Sequence, residues 1–319
     1  MSTILDINDL SVRFSLADSA IFAVRDLSLS LEKGETLGLV GESGCGKSVT
    51  AYSILRLVSP PGEIVSGRIF YDARDILSIN EGEMRKIRGR EISIIFQEPM
   101  TSLNPVFKIG FQISETVKLH LKKNGNEAKE LSIDLLRQVG IPDPEKRYNS
   151  YPHELSGGMR QRVMIAIALS AYPSILIADE PTTALDVTVQ AQILDLLLRI
   201  QKEKDMTLLV ISHDLGVVAN VADKIAIMYA GEIVEYGSVK DIFNNPLHPY
   251  TLGLFQAIPK IGEDRKRLTT IPGIVPTITN RPQGCVFHPR CPKSADECME
   301  DAVPLIEKGE RHQVRCIRI

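Results

Sequence analysis

Along residues 1 to 37 apolar and polar positions alternate loosely, most plainly in Leu27-Ser28-Leu29-Ser30-Leu31, which predicts strands with one buried face. Glu32-Lys33-Gly34-Glu35 reads as a turn, and Thr36-Leu37-Gly38-Leu39-Val40 as a short buried strand running into a glycine-rich loop. From Ser48 to Leu57 the period turns helical until Pro60-Pro61-Gly62 stops it. Ile64 to Tyr71 and Ile92 to Phe96 are further predicted strands. Between Gln97 and Pro152 the chain is more polar and mostly helical, with a break at Pro142 and Pro144, which predicts a separate lobe inserted into a sheet domain. Two more buried strands, Ile175 to Ala178 and Thr207 to Ile211, each follow a helical stretch, the alternation of a parallel sheet covered by helices. Beyond about Tyr250 the texture changes: Pro259, Pro272, Pro276, Pro282, Pro289 and Pro292 predict a loop-rich tail.

The 319 residues are 44% hydrophobic and 24% charged, enough for one large domain and a smaller one. Lys and Arg number 37 against 40 Asp and Glu, a net charge of −3, so the basic footprint of a nucleic-acid binder is missing. The charge-free stretch Val163 to Ala178 is 16 residues long and interrupted by Ser170 and Pro173, short of the roughly 20 that span a bilayer. Met1 to Phe14 carries Asp6 and Asp9 and no basic cap before an apolar core, so a secretory signal is not expected and the protein is expected to stay in the cytosol.

Gly41-Glu42-Ser43-Gly44-Cys45-Gly46-Lys47-Ser48 lies between a predicted strand and a predicted helix. Such a G-x-x-x-x-G-K-[ST] loop curls so that backbone N–H groups point at phosphate oxygens, Lys47 reaches the β- and γ-phosphates, and Ser48 offers its hydroxyl to Mg²⁺. Cys45, beside Lys47 and a helix N-terminus, is expected to have a lowered pKa and to alkylate readily. Asp179 and Glu180 end an apolar strand, where ligands of parallel sheets sit; Asp179 suits the magnesium shell and Glu180 the polarisation of water. His213 also follows a strand and can donate to the γ-phosphate or the water, and the amide of Gln97 could touch both magnesium and water.

Together with these, Leu155-Ser156-Gly157-Gly158-Met159-Arg160-Gln161-Arg162 resembles the signature of ATP-binding-cassette transporter ATPases. The resemblance implies an α/β P-loop cassette over residues 1–250, with a parallel sheet core, an antiparallel β subdomain and an inserted helical subdomain at about 98–153. It implies that Ser156, Gly157 and Gly158 bind the nucleotide of an opposing subunit in a head-to-tail dimer, and that Ala184-Leu185-Asp186 crosses the dimer interface. Gln97 takes the lid position, His213 the switch position, and Phe14 the adenine-stacking position with Phe22 as alternative. Thr183 departs from the serine often found there.

Asn245-Pro246-Leu247-His248-Pro249-Tyr250-Thr251, Phe96-Gln97-Glu98-Pro99 and Gly284-Cys285-Val286-Phe287-His288-Pro289-Arg290-Cys291-Pro292 resemble the dipeptide and oligopeptide import branch, with 251–319 as its small loop-rich C-terminal extension. That branch implies a second ATPase subunit, identical or homologous, two membrane-spanning permease subunits, an external binding protein and a peripheral place on the cytoplasmic face of the membrane. Import of oligosaccharide or nickel, or a soluble cassette ATPase of DNA repair or translation, are the alternative readings. Cys285, Cys291, Cys298 and Cys316 are spaced C-x5-C-x6-C-x17-C, enough thiolates for one [4Fe-4S] cluster or one Zn²⁺, with His288 and His312 as possible substitutes. The branch includes members with a [4Fe-4S] cluster at such cysteines. The tail lies far in sequence from the phosphate residues, and a bound metal would act there as a staple.

Overall fold

A computed structural model of the chain describes residues 2–15, 20–98, 102–183, 185–257, 270–276, 281–309 and 312–319. The chain divides into two compact units. Met1–Glu32, Thr36–Leu77 and Ile211–Ile319 form the first, Lys33–Glu35 and Ser78–Val210 the second.

In the first unit, strands β1 (Thr3–Ser15), β2 (Ala20–Glu32), β4 (Gly62–Tyr71) and β5 (Arg74–Asp75) make an antiparallel sheet in the order β2-β1-β4-β5. The alternation seen in the sequence has its physical reason here: Leu5, Ile7, Leu10, Leu27, Leu29 and Leu31 are buried, while the serines between the leucines of β2 face outward or to the rim. A second set of strands runs β11-β12-β10-β9-β3. Of these β3 (Thr36–Val40) and β9 (Lys224–Tyr229) are parallel, whereas β10 (Glu232–Ser238), β11 (Ile306–Glu307) and β12 (Gln313–Val314) add antiparallel. β3 is buried along its whole length, as a strand covered on both faces must be. The tail therefore continues the sheet: the Arg315 backbone N–H donates to the Val234 carbonyl at 2.8 Å, and its guanidinium Nε donates to the Ile233 carbonyl at 2.9 Å.

In the second unit, β6 (Ile92–Ile95) pairs in parallel with β7 (Ile175–Asp179), with β8 (Thr207–Ser212) next in order. Its helices span Glu81–Ile87, Ile109–Leu121, Gly125–Gln138, Pro144–Arg147, Gly157–Leu169 and Val187–Lys204. Three helices, Ile109–Leu121, Gly125–Gln138 and Pro144–Arg147, fall in the polar stretch between Gln97 and Pro152 where a lobe is expected. Asn124 closes a capping box with Glu127 at the start of one of them. Ser114 Oγ meets Ser132 Oγ at 2.8 Å and Tyr148 Oη at 2.9 Å, so three hydroxyls satisfy one another inside the lobe. Among the described residues no helix is long and apolar enough to cross a membrane.

Candidate functional site

The loop from Gly41 to Ser48 joins β3 to the helix Lys47–Ile54. Its curl demands glycine at two places. Gly46 has φ +105° and a Cβ there would stand 2.3 Å from the Ala23 carbonyl oxygen; at Gly41 it would stand 2.2 Å from that of Met228. The Cys45 N–H closes the turn on the Glu42 carbonyl at 3.2 Å. Lys47 is buried, and its ammonium donates to the carbonyls of Gly41 (2.8 Å) and Glu42 (3.1 Å), so the charge sits inside the ring of backbone. Ser43 and Gly44 are exposed at the rim, with Ser48 half-buried one residue into the helix. A buried cation in a glycine-permitted concavity at a helix start fits a polyphosphate.

Cys45 corrects an expectation. Its side chain is 1% exposed, and burial pushes the thiol up; Lys47, 3.9 Å from the sulfur, pulls the other way and loses. The loop that brings Lys47 near also takes the sulfur out of water, so burial opposes the lowered pKa expected from the sequence.

Phe14, in β1, lies over Gly62, whose Cβ would be 2.7 Å from the ring. Phe22 instead lines a small cleft with Gly44, Gly231, Val275 and Arg281, and the Arg25 guanidinium carbon is 5.7 Å from its ring centroid. Of the two aromatics, Phe22 is thus the one beside the phosphate loop. His213, just past β8, is exposed.

In the second unit Asp179 is fully buried at the end of β7 and Glu180 is half-buried just beyond it. Glu180 has φ +46°, the left-handed region, which costs a non-glycine residue on the order of 1 kcal/mol. Its carboxylate accepts hydrogen bonds at 2.9 Å from both the Gln97 amide and the Thr183 hydroxyl. The structure thus brings Gln97 and Glu180 together across 83 positions of sequence and adds Thr183, which the sequence shows only as a departure from serine. Within the second unit, the amide oxygen of Gln97 and the carboxylate of Asp179 are oxygen donors of the kind that Mg²⁺ takes.

Ser156 caps the helix Gly157–Leu169 by accepting from the Met159 N–H at 3.3 Å; Ser156 and Gly157 are exposed. A Cβ at Gly158 would meet Val189 at 3.0 Å. Asp186 is exposed and caps the helix Val187–Lys204 through the Val189 N–H at 3.0 Å. Ala184 and Pro99 lie outside the described residues.

All four tail cysteines are free thiols, Cys298 and Cys316 buried, Cys285 and Cys291 half-buried. The Cys285 N–H donates to the Cys298 carbonyl at 2.8 Å. Burial pushes the Cys285 thiol up to about 11, and the neighbouring Cys316, Cys291 and Cys298 push it the same way. Cys291 is raised too, by burial first and then by the charges of Cys316 and Cys298, and Cys316 by burial first and then by the charges of Cys298 and Glu235. Among the described residues no group of three or more His, Cys, Asp or Glu stands disposed to hold a metal ion. His312 is engaged elsewhere, its Nε2 2.8 Å from Glu235 Oε1.

Comparison with known proteins gives the family. The family described as ABC transporter matches residues 24–183, and the family described as Oligopeptide/dipeptide transporter, C-terminal region, matches residues 234–298. The chain is 47% identical over 313 residues to the dipeptide transport ATP-binding protein DppD of Escherichia coli (strain K12), covering 98% of this chain and 96% of the relative. It is 49% identical over 317 residues to the oligopeptide transport ATP-binding protein OppD of Bacillus subtilis (strain 168), covering 99% and 88%. Among solved structures it resembles the dimeric post-hydrolysis state of the ATP-binding cassette MJ0796 bound to ADP and Pi, with TM-score 0.67, 26% identity, and 74% of this chain and 98% of that one covered. A loop built for polyphosphate, a strand ending in two acids and a capped glycine helix, followed by the peptide-transporter tail, place the chain in the ABC transporter family, as an ATP-binding subunit of its dipeptide/oligopeptide importer branch.

Proposed function

We propose that this chain hydrolyses ATP to drive the import of dipeptides or oligopeptides. The observation that carries the reading is the presence in one chain of a phosphate loop with Lys47 buried inside it and a tail matching the oligopeptide/dipeptide transporter C-terminal region. In this reading residues 1–250 are the cassette, about 98–153 its helical subdomain, and 251–319 the extension. The chain pairs head to tail with a second ATPase subunit at the cytoplasmic face of the membrane, beneath two permease subunits served by an external binding protein. Exposed Val106, Phe107 and Phe111 on the helical lobe, with the two phenyl rings 5.0 Å apart, support a protein partner on that face.

The roles follow from the chemistry of each group. Backbone N–H groups from Gly41 to Ser48 and the Lys47 ammonium bind the phosphates; Phe14 or Phe22 stacks on adenine. Ser48, Gln97 and Asp179 would hold Mg²⁺, which when bound supplies positive charge to the phosphate oxygens. Glu180 takes a proton from the attacking water, Gln97 and Thr183 hold its carboxylate until then, and His213 donates to the γ-phosphate. Ser156, Gly157 and Gly158 offer the open end of their helix to the partner's nucleotide, and Asp186 stands beside the interface. The four tail cysteines would bind a [4Fe-4S] cluster, with Zn²⁺ as alternative; their clustering within residues 285–319 supports this.

Glu180→Gln keeps size and hydrogen bonding while removing the proton acceptor, so ATP turnover falls about 100-fold or more while Mg-ATP still binds. Turnover near the unsubstituted rate would remove Glu180 from the reaction, and Lys47→Ala binding ATP normally would overturn the phosphate-loop assignment.

A further inference from the structure

The phosphate loop carries a carboxylate of its own. Glu42 follows Gly41, and its backbone carbonyl is one of the two that hold the Lys47 ammonium. A negative charge at that place opposes the binding of a polyanion. The structure cancels it from the tail: Arg290 Nη1 donates to both Glu42 oxygens, at 3.2 and 3.1 Å, and to Tyr229 Oη at 3.3 Å. Nε and Nη2 of the same guanidinium donate to the carbonyls of Pro272 (3.0 Å) and Ile271 (3.2 Å). With the Arg290 side chain 6% exposed and that of Glu42 25%, this is no mobile surface pair. Beside it the Glu42 N–H donates to Tyr250 Oη at 3.1 Å, and the rings of Tyr229, Tyr250 and Phe287 meet with centroids 4.7 to 5.4 Å apart. Every one of these groups lies in the first unit, and Arg290 is the residue before Cys291.

We infer that Arg290 is a positioning residue for nucleotide binding: it neutralises the phosphate loop's own carboxylate and holds it to one side, so that affinity for ATP depends on the folded C-terminal extension. The inference rests on the assignment of Gly41–Ser48 as the nucleotide site. An anchor that merely fastened the tail would use the same hydrogen bonds, but it would not make the loss of Arg290 reparable at Glu42. Electrostatic neutralisation does, because removing the carboxylate removes the need for the cation.

The test is equilibrium binding of ATP to the full chain at low and high salt. Arg290→Met is expected to bind about tenfold more weakly at low salt, with the difference shrinking near 1 M salt. Glu42→Gln with Arg290→Met together should return to within about threefold of the unsubstituted affinity, and Arg290→Lys, which keeps the charge, should stay within a similar factor. An Arg290→Met chain binding within about twofold of the original, or a double variant as weak as Arg290→Met alone, would overturn the inference. Lys47→Ala separates the two claims: unimpaired ATP binding there strikes the phosphate-loop assignment itself, whereas its loss alongside an unaffected Arg290→Met strikes only the role of Arg290.

Discussion

Glu180 sits in a backbone conformation that side chains disfavour, and two neighbours hold its carboxylate there. Thr183 matters in this respect beyond its likeness to serine: its hydroxyl is a donor aimed at the group that takes the proton. Thr183→Val keeps the shape and removes the donor, so kcat for ATP hydrolysis should fall about three- to tenfold with KM little changed, while Thr183→Ser stays near the original rate. Steady-state kinetics decides it, and an unchanged kcat in the valine variant would free Glu180 from that dependence. The places of Glu180 and Gln97 at strand ends, and of Lys47 in a glycine-patterned loop, were legible in the sequence. The Gln97–Glu180 bond was not, since spacing carries no sign of which side chains converge across 83 residues. Cys45 misled for a related reason: the sequence shows its charged neighbour but not its burial.

Strands and helices of the core were legible wherever the period was clean. β3, β7 and β8 fall within a residue or so of the apolar runs that announce them, and the short helix after the phosphate loop ends at Ile54 rather than Leu57, because Leu55 to Leu57 already turn toward Pro60. The segment Asn245–Thr251 was legible only as a motif. Its physical content is a buried carboxylate: Glu235, fully inaccessible, accepts the N–H groups of Leu247 (2.8 Å) and His248 (2.9 Å) and meets His312. His248 Nδ1 in turn accepts the Tyr250 N–H at 3.1 Å. Burial pulls the His248 pKa down to about 3, so the ring is neutral when folded but takes a proton below about 6.5 when unfolded. That contribution to stability is complete above pH 6.5 and declines as the pH falls toward 3, by about 2 kcal/mol at pH 5. Urea unfolding at pH 7 and pH 5 should show the difference, and His248→Gln should flatten it; an equally steep acid loss in that variant would place the cause elsewhere.

Across the whole molecule, the sequence showed a tail distant from the phosphate residues, whereas the fold makes the two neighbours through Arg290. Nothing in composition or spacing could reveal that, because an ion pair separated by 248 positions leaves no periodic trace. The cysteines are the complementary case: the sequence crowds them into residues 285–319, and in the fold each of Cys285, Cys291 and Cys316 feels the charge of another. The raised thiols of Cys285, Cys291 and Cys316 disfavour a lone thiolate, and a shared cation would oppose that rise. Protein purified without oxygen should therefore be brown and carry about four irons per chain, lost with Cys291→Ser; colourless protein with one zinc per chain would reject the cluster.

The division of the chain has a consequence for how it is made. The first unit is assembled from three stretches, and the third begins only at Ile211, whereas the second unit is complete by Val210. A ribosome delivers residues in order, and domains fold as their parts emerge. The part that leaves the ribosome first must therefore wait, its phosphate loop lacking β9 on one side and Arg290 beside it, while the second unit gathers all its pieces sooner. Until the last hundred residues arrive, the nascent chain holds a nucleotide loop whose supporting groups have not yet been synthesised, so its capacity for ATP is among the last properties it acquires.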